Sequence, residues 1–296
     1  MALPQRVAIT GASGLIGTAL VGYLKSEGHT VQKLVRRPVV GPDEIQWDPK
    51  TGYVDIEALR GVDAVIHLAG VGVGDKRWSK KYKAEILNSR LLGTTAIAHA
   101  VAEVKPQVFI SASAIGWYGE SGNRAVVESD KAGDDFLAAV CREWEAAADL
   151  AGEVRTVKLR TGLVLDPTGG ALGRMLPLFR LGLGGKLGSG KQWWSWITLH
   201  DVLRAILFAL ENPISGPINL TAPTPVTNQE FTAALARAMK RPAVFPVPSI
   251  ALKIALGGFS MEVLGSKKVI PQSLTEAGFT WDYPHLTEAL KVLIER

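Results

Sequence analysis

The octapeptide Thr10-Gly-Ala-Ser-Gly-Leu-Ile-Gly17 stands between an apolar run, Val7-Ala8-Ile9, and the residues Leu20, Val21 and Leu24, which are apolar at helical spacing. The run is short enough for a buried strand, so the glycines mark a strand-to-helix turn. Gly11 permits a sharp turn, and Gly14 leaves room for a phosphate to reach bare backbone N–H groups. Gly17 lets the helix pack close on the strand, with the helix N-terminus facing the anion. The spacing is G-x-x-G-x-x-G rather than the commoner G-x-G-x-x-G, and an ordinary glycine turn is the plain alternative. The strand before, the helix after and a second strand at the right distance favour dinucleotide binding. The expected contacts are Gly11, Ser13, Gly14, Leu15 and Ile16.

The second strand reads at Thr30–Val35, after Gly28-His29, and runs into Arg36-Arg37-Pro38. An acidic residue there would hold the ribose 2′-hydroxyl of NAD. Here Val35 stands at the end and Arg36 and Arg37 follow, which suits the 2′-phosphate of NADP, the alternative being a basic surface turn. Asp63–Gly70 reads as a third strand and its exit, with Ala69 and Gly70 small enough to pass beside a cofactor. His67 reads as a packed histidine, since no Ser or Cys partner lies near it. A long helix spans Ser79–Glu103, a fourth strand Val108–Ser111, a helix Asp134–Leu150 and a fifth strand Val154–Leu159. Strands alternating with helices predict an α/β fold, a Rossmann-type doubly wound parallel sheet with ligands at the strand carboxyl ends.

From Thr161 the composition changes. Glycines at 169, 170, 182, 184, 185, 188 and 190 lead to Trp193-Trp-Ser-Trp196. This is either a glycine-rich loop with aromatic anchors beside the site or aromatic packing at a domain seam. A helix follows at Asp201–Leu210, then a strand at Pro217–Leu220. Another helix starts at Thr227, with Glu230 completing a capping box. The expected organisation is a dinucleotide-binding domain over residues 1–170, to which 201–220 return. Residues 171–200 and 221–296 would form a smaller substrate-side subdomain.

The 296 residues carry 33 basic and 28 acidic side chains, a net charge of +5, and 47% hydrophobic residues. The cluster Lys76, Arg77, Lys80, Lys81 and Lys83 reads as a solvated helix start rather than a nucleic-acid patch. A single cysteine, Cys141, excludes an internal disulfide framework and an all-cysteine metal site. No signal peptide is read at the start and no apolar run reaches about 18 residues. The expectation is a cytoplasmic protein with a small-molecule substrate, no nucleic-acid or membrane partner and no metal, with an oligomer possible.

Gly11–Gly17, His67-Leu-Ala-Gly70, Ser111-Ala-Ser113, Tyr118-Gly119 and Thr198–Val202 together resemble the extended short-chain dehydrogenase/reductase superfamily, in its sugar-nucleotide epimerase branch. A closer resemblance is to an atypical, epimerase-family subgroup often described as cell-division-inhibitor-like. It rests on Ser89-Arg90, Trp144-Glu145, Arg160-Thr-Gly162, Leu181–Gly185, Gly188-Ser-Gly190, Trp196-Ile197, Val269–Gln272 and Gly278-Phe279. The resemblance implies NADP(H) binding, with Arg36 at the 2′-phosphate, Leu68 and Ala69 at the adenosine half, Glu85 and Arg90 facing the cofactor, and Val164 at the nicotinamide end. It implies as substrate a sugar nucleotide or another polar carbonyl compound.

The chain departs from the superfamily at its proton chemistry. Four residues after Tyr23, Tyr53, Tyr82, Tyr118 and Tyr283 stand Glu27, Glu57, Ile86, Gly122 and Thr287, and none is lysine. Aligned on Glu145, the usual Tyr and Lys places hold Leu137 and Cys141. Ser113 and Tyr118 remain as candidate catalytic hydroxyls, either as proton donors or as pocket wall. An unassisted tyrosine, with a pKa of about 10, is a poor base at neutral pH. Cys141 reads as structural. The two functions in view are an NADP-dependent oxidoreductase or epimerase of unusual mechanism and a non-catalytic NADP-binding module.

Overall fold

The computed structural model describes residues 4–295. Its frame is an eight-stranded sheet. The strands are β1 (Arg6–Thr10), β2 (Thr30–Val35), β3 (Glu44–Asp48), β4 (Tyr53–Val54), β5 (Ala64–His67), β6 (Val108–Ala114), β7 (Thr156–Thr161) and β8 (Gly216–Leu220). Their order is β8-β7-β6-β5-β1-β2-β3-β4. All neighbours are parallel except β3 with β4. The order reverses between β1 and β5, where a doubly wound sheet opens its ligand crevice.

Alternation along the strands explains the two-sided burial. In β1, Val7 and Ile9 enter one apolar cluster, and Ala8 enters the cluster on the opposite face. The first face is covered by α1 (Leu15–Ser26), through Leu20 and Leu24. The second is covered by α2 (Lys80–Val104), through Ile97 and Val101. Ser79 caps α2 by accepting from the Tyr82 N–H at 3.1 Å, which fixes where the long helix begins. After β6, α3 (Phe136–Ala148) starts at Asp135, whose carboxylate accepts from the Ala138 N–H at 2.8 Å.

Beyond β7 the chain alternates between frame and cap. The cap elements are α4 (Gly170–Arg180), α6 (Asn228–Met239), α7 (Ser249–Leu256) and α8 (Leu286–Glu295), while α5 (Leu199–Glu211) returns to the sheet beside α1. A third apolar cluster joins Leu172, Leu176 and Phe179 of α4 to Trp196, Phe231, Leu235 and Leu290. The capping box at Thr227 and Glu230 forms as the sequence predicts. Among the described residues no helix is long and apolar enough to cross a membrane.

Two differences from the sequence reading bear on the site. The hairpin of β3 and β4 is absent from it, although Glu44–Asp48 buries Ile45 and Trp47 in alternation. The strand expected at Val154–Leu159 runs from Thr156 to Thr161. Inside the fold the Arg160 charge is paired with Glu145, so the ladder continues through it.

Candidate cofactor site

At the β1–β5 reversal lies a cleft of about 330 Å³, lined by Gly11, Gly14, Leu15, Ile16 and Gly17, by Leu68, Ser113 and Trp144, and by Thr161 and Val164. Gly11 has φ +70°, and a Cβ there would stand 2.8 Å from the Leu68 carbonyl carbon. A Cβ on Gly17 would stand 2.1 Å from the Gly11 oxygen. The turn is therefore as tight as the glycine spacing requires. Gly14 is the N-cap of α1 and contributes no side-chain cap, so the first-turn N–H groups are left without an intrahelical partner. Such an end, open to a cleft, fits an anionic group. Ser13 and Gly14 are exposed on its rim.

The opposite lip is held by a residue that the sequence reading does not single out as a support. Thr10 Oγ1 lies 2.7 Å from His67 Nδ1 and accepts from the N–H groups of Leu68 (3.1 Å) and Ala69 (3.3 Å). That one hydroxyl fixes the small-residue exit beside Gly11. His67 is fully buried against the edge of Trp47, and burial pushes its pKa down to about 3. It is a packed, neutral histidine.

At the end of β2 the two arginines part company. Arg37 forms a two-pronged pair with Glu44, one Nη1–Oε2 bond measuring 2.9 Å. The hydrogen bond from Arg37, followed by that from the Val40 N–H, pulls the Glu44 pKa down to about 2. Arg36 is exposed and, among the described residues, has no hydrogen-bonding or ionic partner. Of the two arginines expected at the phosphate, Arg37 is held by the acid on β3 and Arg36 is not. Val35 is half-buried beside them.

Arg90 donates to the carbonyls of Val71 (2.9 Å) and Ile86 (3.2 Å) and stacks 4.8 Å from the Trp144 ring, flanking Gly70. Burial lowers its pKa. Glu85 is exposed, with Lys76 at 3.8 Å. Val164 lies on a short strand, Leu163–Asp166, that pairs with Trp196–Thr198.

Beneath the cleft, three strands place polar residues in register: Ser113 opposite Arg160, and Arg160 opposite Asn219. In-register residues of neighbouring strands share a face, and here that face meets Glu145 of α3. Arg160 Nε and Nη2 donate to the two Glu145 carboxylate oxygens at 2.9 and 3.0 Å, with both side chains buried. Ser113 Oγ donates to Glu145 Oε1 at 2.7 Å. Arg160 Nη1 donates to the Tyr118 hydroxyl (3.1 Å) and the Glu128 carbonyl (3.0 Å), while Trp117 covers the guanidinium at 3.9 Å.

Ser113 and Tyr118 therefore have different surroundings. Ser113 lines the cleft. Tyr118 is 4% exposed, and its hydroxyl donates to Asn219 Oδ1 at 2.7 Å. Burial, only partly opposed by Arg160 and Asn219, pushes its pKa up to about 12. The expectation that Tyr118 offers a proton to a substrate meets a hydroxyl committed on both sides within the protein. Leu137 and Cys141, two turns and one turn before Glu145, are buried against Gly116. The Cys141 thiol faces the Ala114 carbonyl at 3.6 Å; burial first, and Glu145 second, raise its pKa to about 12. This agrees with a structural role.

Trp193–Trp196 packs rather than anchors. Trp196 is fully buried, Trp194 meets the Phe231 ring edge at 5.2 Å, and Trp193 lies under Lys268 at 4.1 Å. None of them lines the cleft. Ligand atoms of His200, Asp201 and Asp282 lie within 4.8 Å of one another, but Arg204 pairs with both carboxylates and offsets part of their charge from within.

The reversal point, glycine turn and free helix end define a nucleotide-binding α/β protein. Residues 7–221 match the NAD dependent epimerase/dehydratase family, and the chain belongs to it. Residues 247–293 match a domain of unknown function, DUF1731. The Mycobacterium bovis epimerase family protein Mb2239 is 46% identical over 288 residues, 96% of each chain. The crystal structure of the human epimerase family protein SDR39U1 with NADPH aligns with a TM-score of 0.91 at 36% identity, covering 98% of this chain and 99% of that one. A Corynebacterium glutamicum structure described as a nucleoside-diphosphate sugar epimerase aligns at 0.82 and 35% identity, covering 99% of this chain and 59% of that one. The present chain is an atypical short-chain dehydrogenase/reductase: none of its five tyrosines has a lysine four residues later.

Proposed function

We propose that this protein binds NADP(H) in the Gly11–Gly17 cleft and exchanges hydride with a small polar carbonyl compound or a sugar nucleotide. The observation that carries the reading is the uncapped N-terminus of α1 opening into the same cleft as Ser113. The human relative crystallised with NADPH supports the choice of cofactor. Arg36, unpaired beyond β2, supplies the charge for a 2′-phosphate, because a guanidinium–phosphate contact is charge-assisted and can be bidentate. The nicotinamide group would supply the hydride chemistry. On the protein side, Ser113 brings a hydroxyl to the cleft, and its own proton is directed to Glu145. Its free lone pairs therefore suit it to accept a hydrogen bond from a substrate hydroxyl, with Glu145 and Arg160 holding its orientation. The buried lone thiol suits the reducing cytoplasm that we assign to the protein.

The test is a fluorescence titration with both reduced cofactors. NADPH should bind at least tenfold more tightly than NADH, and Arg36→Ala should remove most of that gap. Equal dissociation constants in the parent protein would overturn the assignment. Loss of nicotinamide absorbance with a panel of carbonyl compounds would establish turnover. The second reading, a non-catalytic NADP(H)-binding module, is favoured by Leu137, Cys141 and the committed Tyr118 hydroxyl. Tight NADPH binding with no turnover across the panel would select it.

A further inference from the structure

Two segments of the cap, 167–191 and 231–261, contain eight basic residues and no acidic one. All 28 acidic residues lie elsewhere, alongside 25 of the 33 basic ones. The same two segments hold eight of the thirteen large apolar side chains that stand exposed among the described residues. Their backbones join. The Val247 N–H donates to Lys186 O at 2.9 Å and the Gly188 N–H to Val247 O at 2.9 Å. The approach is so close that a Cβ on Gly185 would stand 1.7 Å from the Phe245 oxygen. Leu181 (73% exposed) and Val244 (68%) thus share one surface, continued by Phe245 and by Ile250 and Ile254 one turn apart on α7, opposite the buried Leu252. Arg180, Lys240, Arg241 and Lys253 are interleaved with them, exposed and without an ionic partner among the described residues.

We propose that this face docks on an anionic phospholipid surface, the apolar side chains entering the interface and the cations meeting the headgroups. Apolar insertion and attraction to anionic lipid are the two components of interfacial binding. A second copy of the chain fits poorly. A two-fold interface would set Arg180, Lys240, Arg241 and Lys253 against their own copies, like charge on like charge, and neither segment carries an acid to offset them. The face also bears on the cleft. Helix α4, which ends in the patch, begins at Gly170, where a Cβ would lie 3.4 Å from Leu15 of the cofactor turn. Its eleven residues span about 16 Å, so docking would hold the cleft one helix length from the lipid. Docking of this kind departs from the sequence expectation of no membrane partner; it needs no spanning segment, and among the described residues no helix is long and apolar enough to cross a membrane.

The test is co-sedimentation of the full chain with phosphatidylglycerol and phosphatidylcholine vesicles at low and high salt. The parent should partition at least tenfold more strongly onto the anionic vesicles, and high salt should weaken it. Lys240→Glu with Arg241→Glu should lower partitioning at least tenfold, since each cation near such a surface contributes about a fivefold factor. Ile250→Asp with Ile254→Asp should do the same. Circular dichroism and NADPH affinity should match the parent in both variants, separating lost docking from lost folding. Equal partitioning onto both vesicle types, or variants that bind like the parent, would overturn the proposal. So would a parent that ignores vesicles but sediments as a dimer that the isoleucine variant dissociates; the face would then join copies of the chain.

Discussion

Along the Gly11–Gly17 wall of the cleft the inward-facing groups are first-turn backbone N–H groups without intrahelical partners. Across the sheet, behind Ser113, the charges of Glu145 and Arg160 are matched atom for atom, with Tyr118 and Asn219 completing the pattern. One wall leaves donors free and so can take an anion. The other satisfies the donors of Ser113, Arg160 and Tyr118 internally and so holds a shape. The contrast teaches that a polar cluster below a ligand cleft need not be the reacting machinery. What decides is whether the partners come from outside or from within.

The largest effect should come from closing the open wall. In Gly17→Ala the new Cβ meets the Gly11 oxygen at 2.1 Å, so the turn must open. We expect at least a hundredfold loss of NADPH affinity, about 2.8 kcal/mol, in the fluorescence titration. Retention within threefold would break the comparison on its first side.

Glu145→Gln strikes the closed wall by leaving the Arg160 charge buried without its counter-ion. Breaking a buried pair costs about 3–5 kcal/mol. At roughly 2–4 °C per kcal/mol in chains of this size, Tm should fall by about 10 °C. Replacing both partners, with Glu145→Met and Arg160→Met, should recover part of the loss. A thermal melt unchanged within 2 °C for Glu145→Gln would mean that the network does not hold the sheet.

Acid should act on the lip of the open wall. His67 stays neutral in the fold down to about pH 3, whereas in the unfolded chain it takes a proton near pH 6.5. Between those values the unfolded state binds more protons, so stability falls as pH drops through that window, by an amount on the order of a few kcal/mol. His67→Gln, which does not titrate, should flatten this limb in denaturant titrations at pH 4 and pH 7. An equally steep acid limb in the variant would assign the loss to other groups.

Tyr118→Phe separates structure from chemistry. It leaves the Asn219 oxygen and one Arg160 N–H without their partner, which costs about 1–3 kcal/mol. The expected result is a lower Tm with NADPH affinity and any turnover close to parent. A hundredfold fall in kcat at unchanged Tm would instead make Tyr118 a proton donor. Smallest of all, Cys141→Ser keeps a donor facing the Ala114 carbonyl, and should cost less than about 1 kcal/mol with no change in cofactor affinity.

Much of the frame is legible from local pattern. The strand–turn–helix around Gly11, the capping box at Thr227 and the long helix from Ser79 are written in nearest neighbours, because turns, caps and helical faces involve residues a few places apart. The β3–β4 hairpin is not legible in this way, since its strands are short, five and two residues, and carry too little alternation to stand out. The site divides similarly. Arg36 and Arg37 look equivalent in the chain, and only Glu44, brought beside them by the added strand, tells them apart.

Sequence alone determined the class of the fold, the cofactor turn and the loss of the Tyr/Lys pair, because each is a matter of residue type at fixed spacing. Tertiary structure alone decided what Tyr118, Arg160 and the tryptophans do. Tyr118 and Asn219 are 101 positions apart, and Ser113 and Glu145 are 32 apart. Whether a polar side chain is free or satisfied depends on the partners that folding brings within hydrogen-bond reach, and no local spacing encodes them.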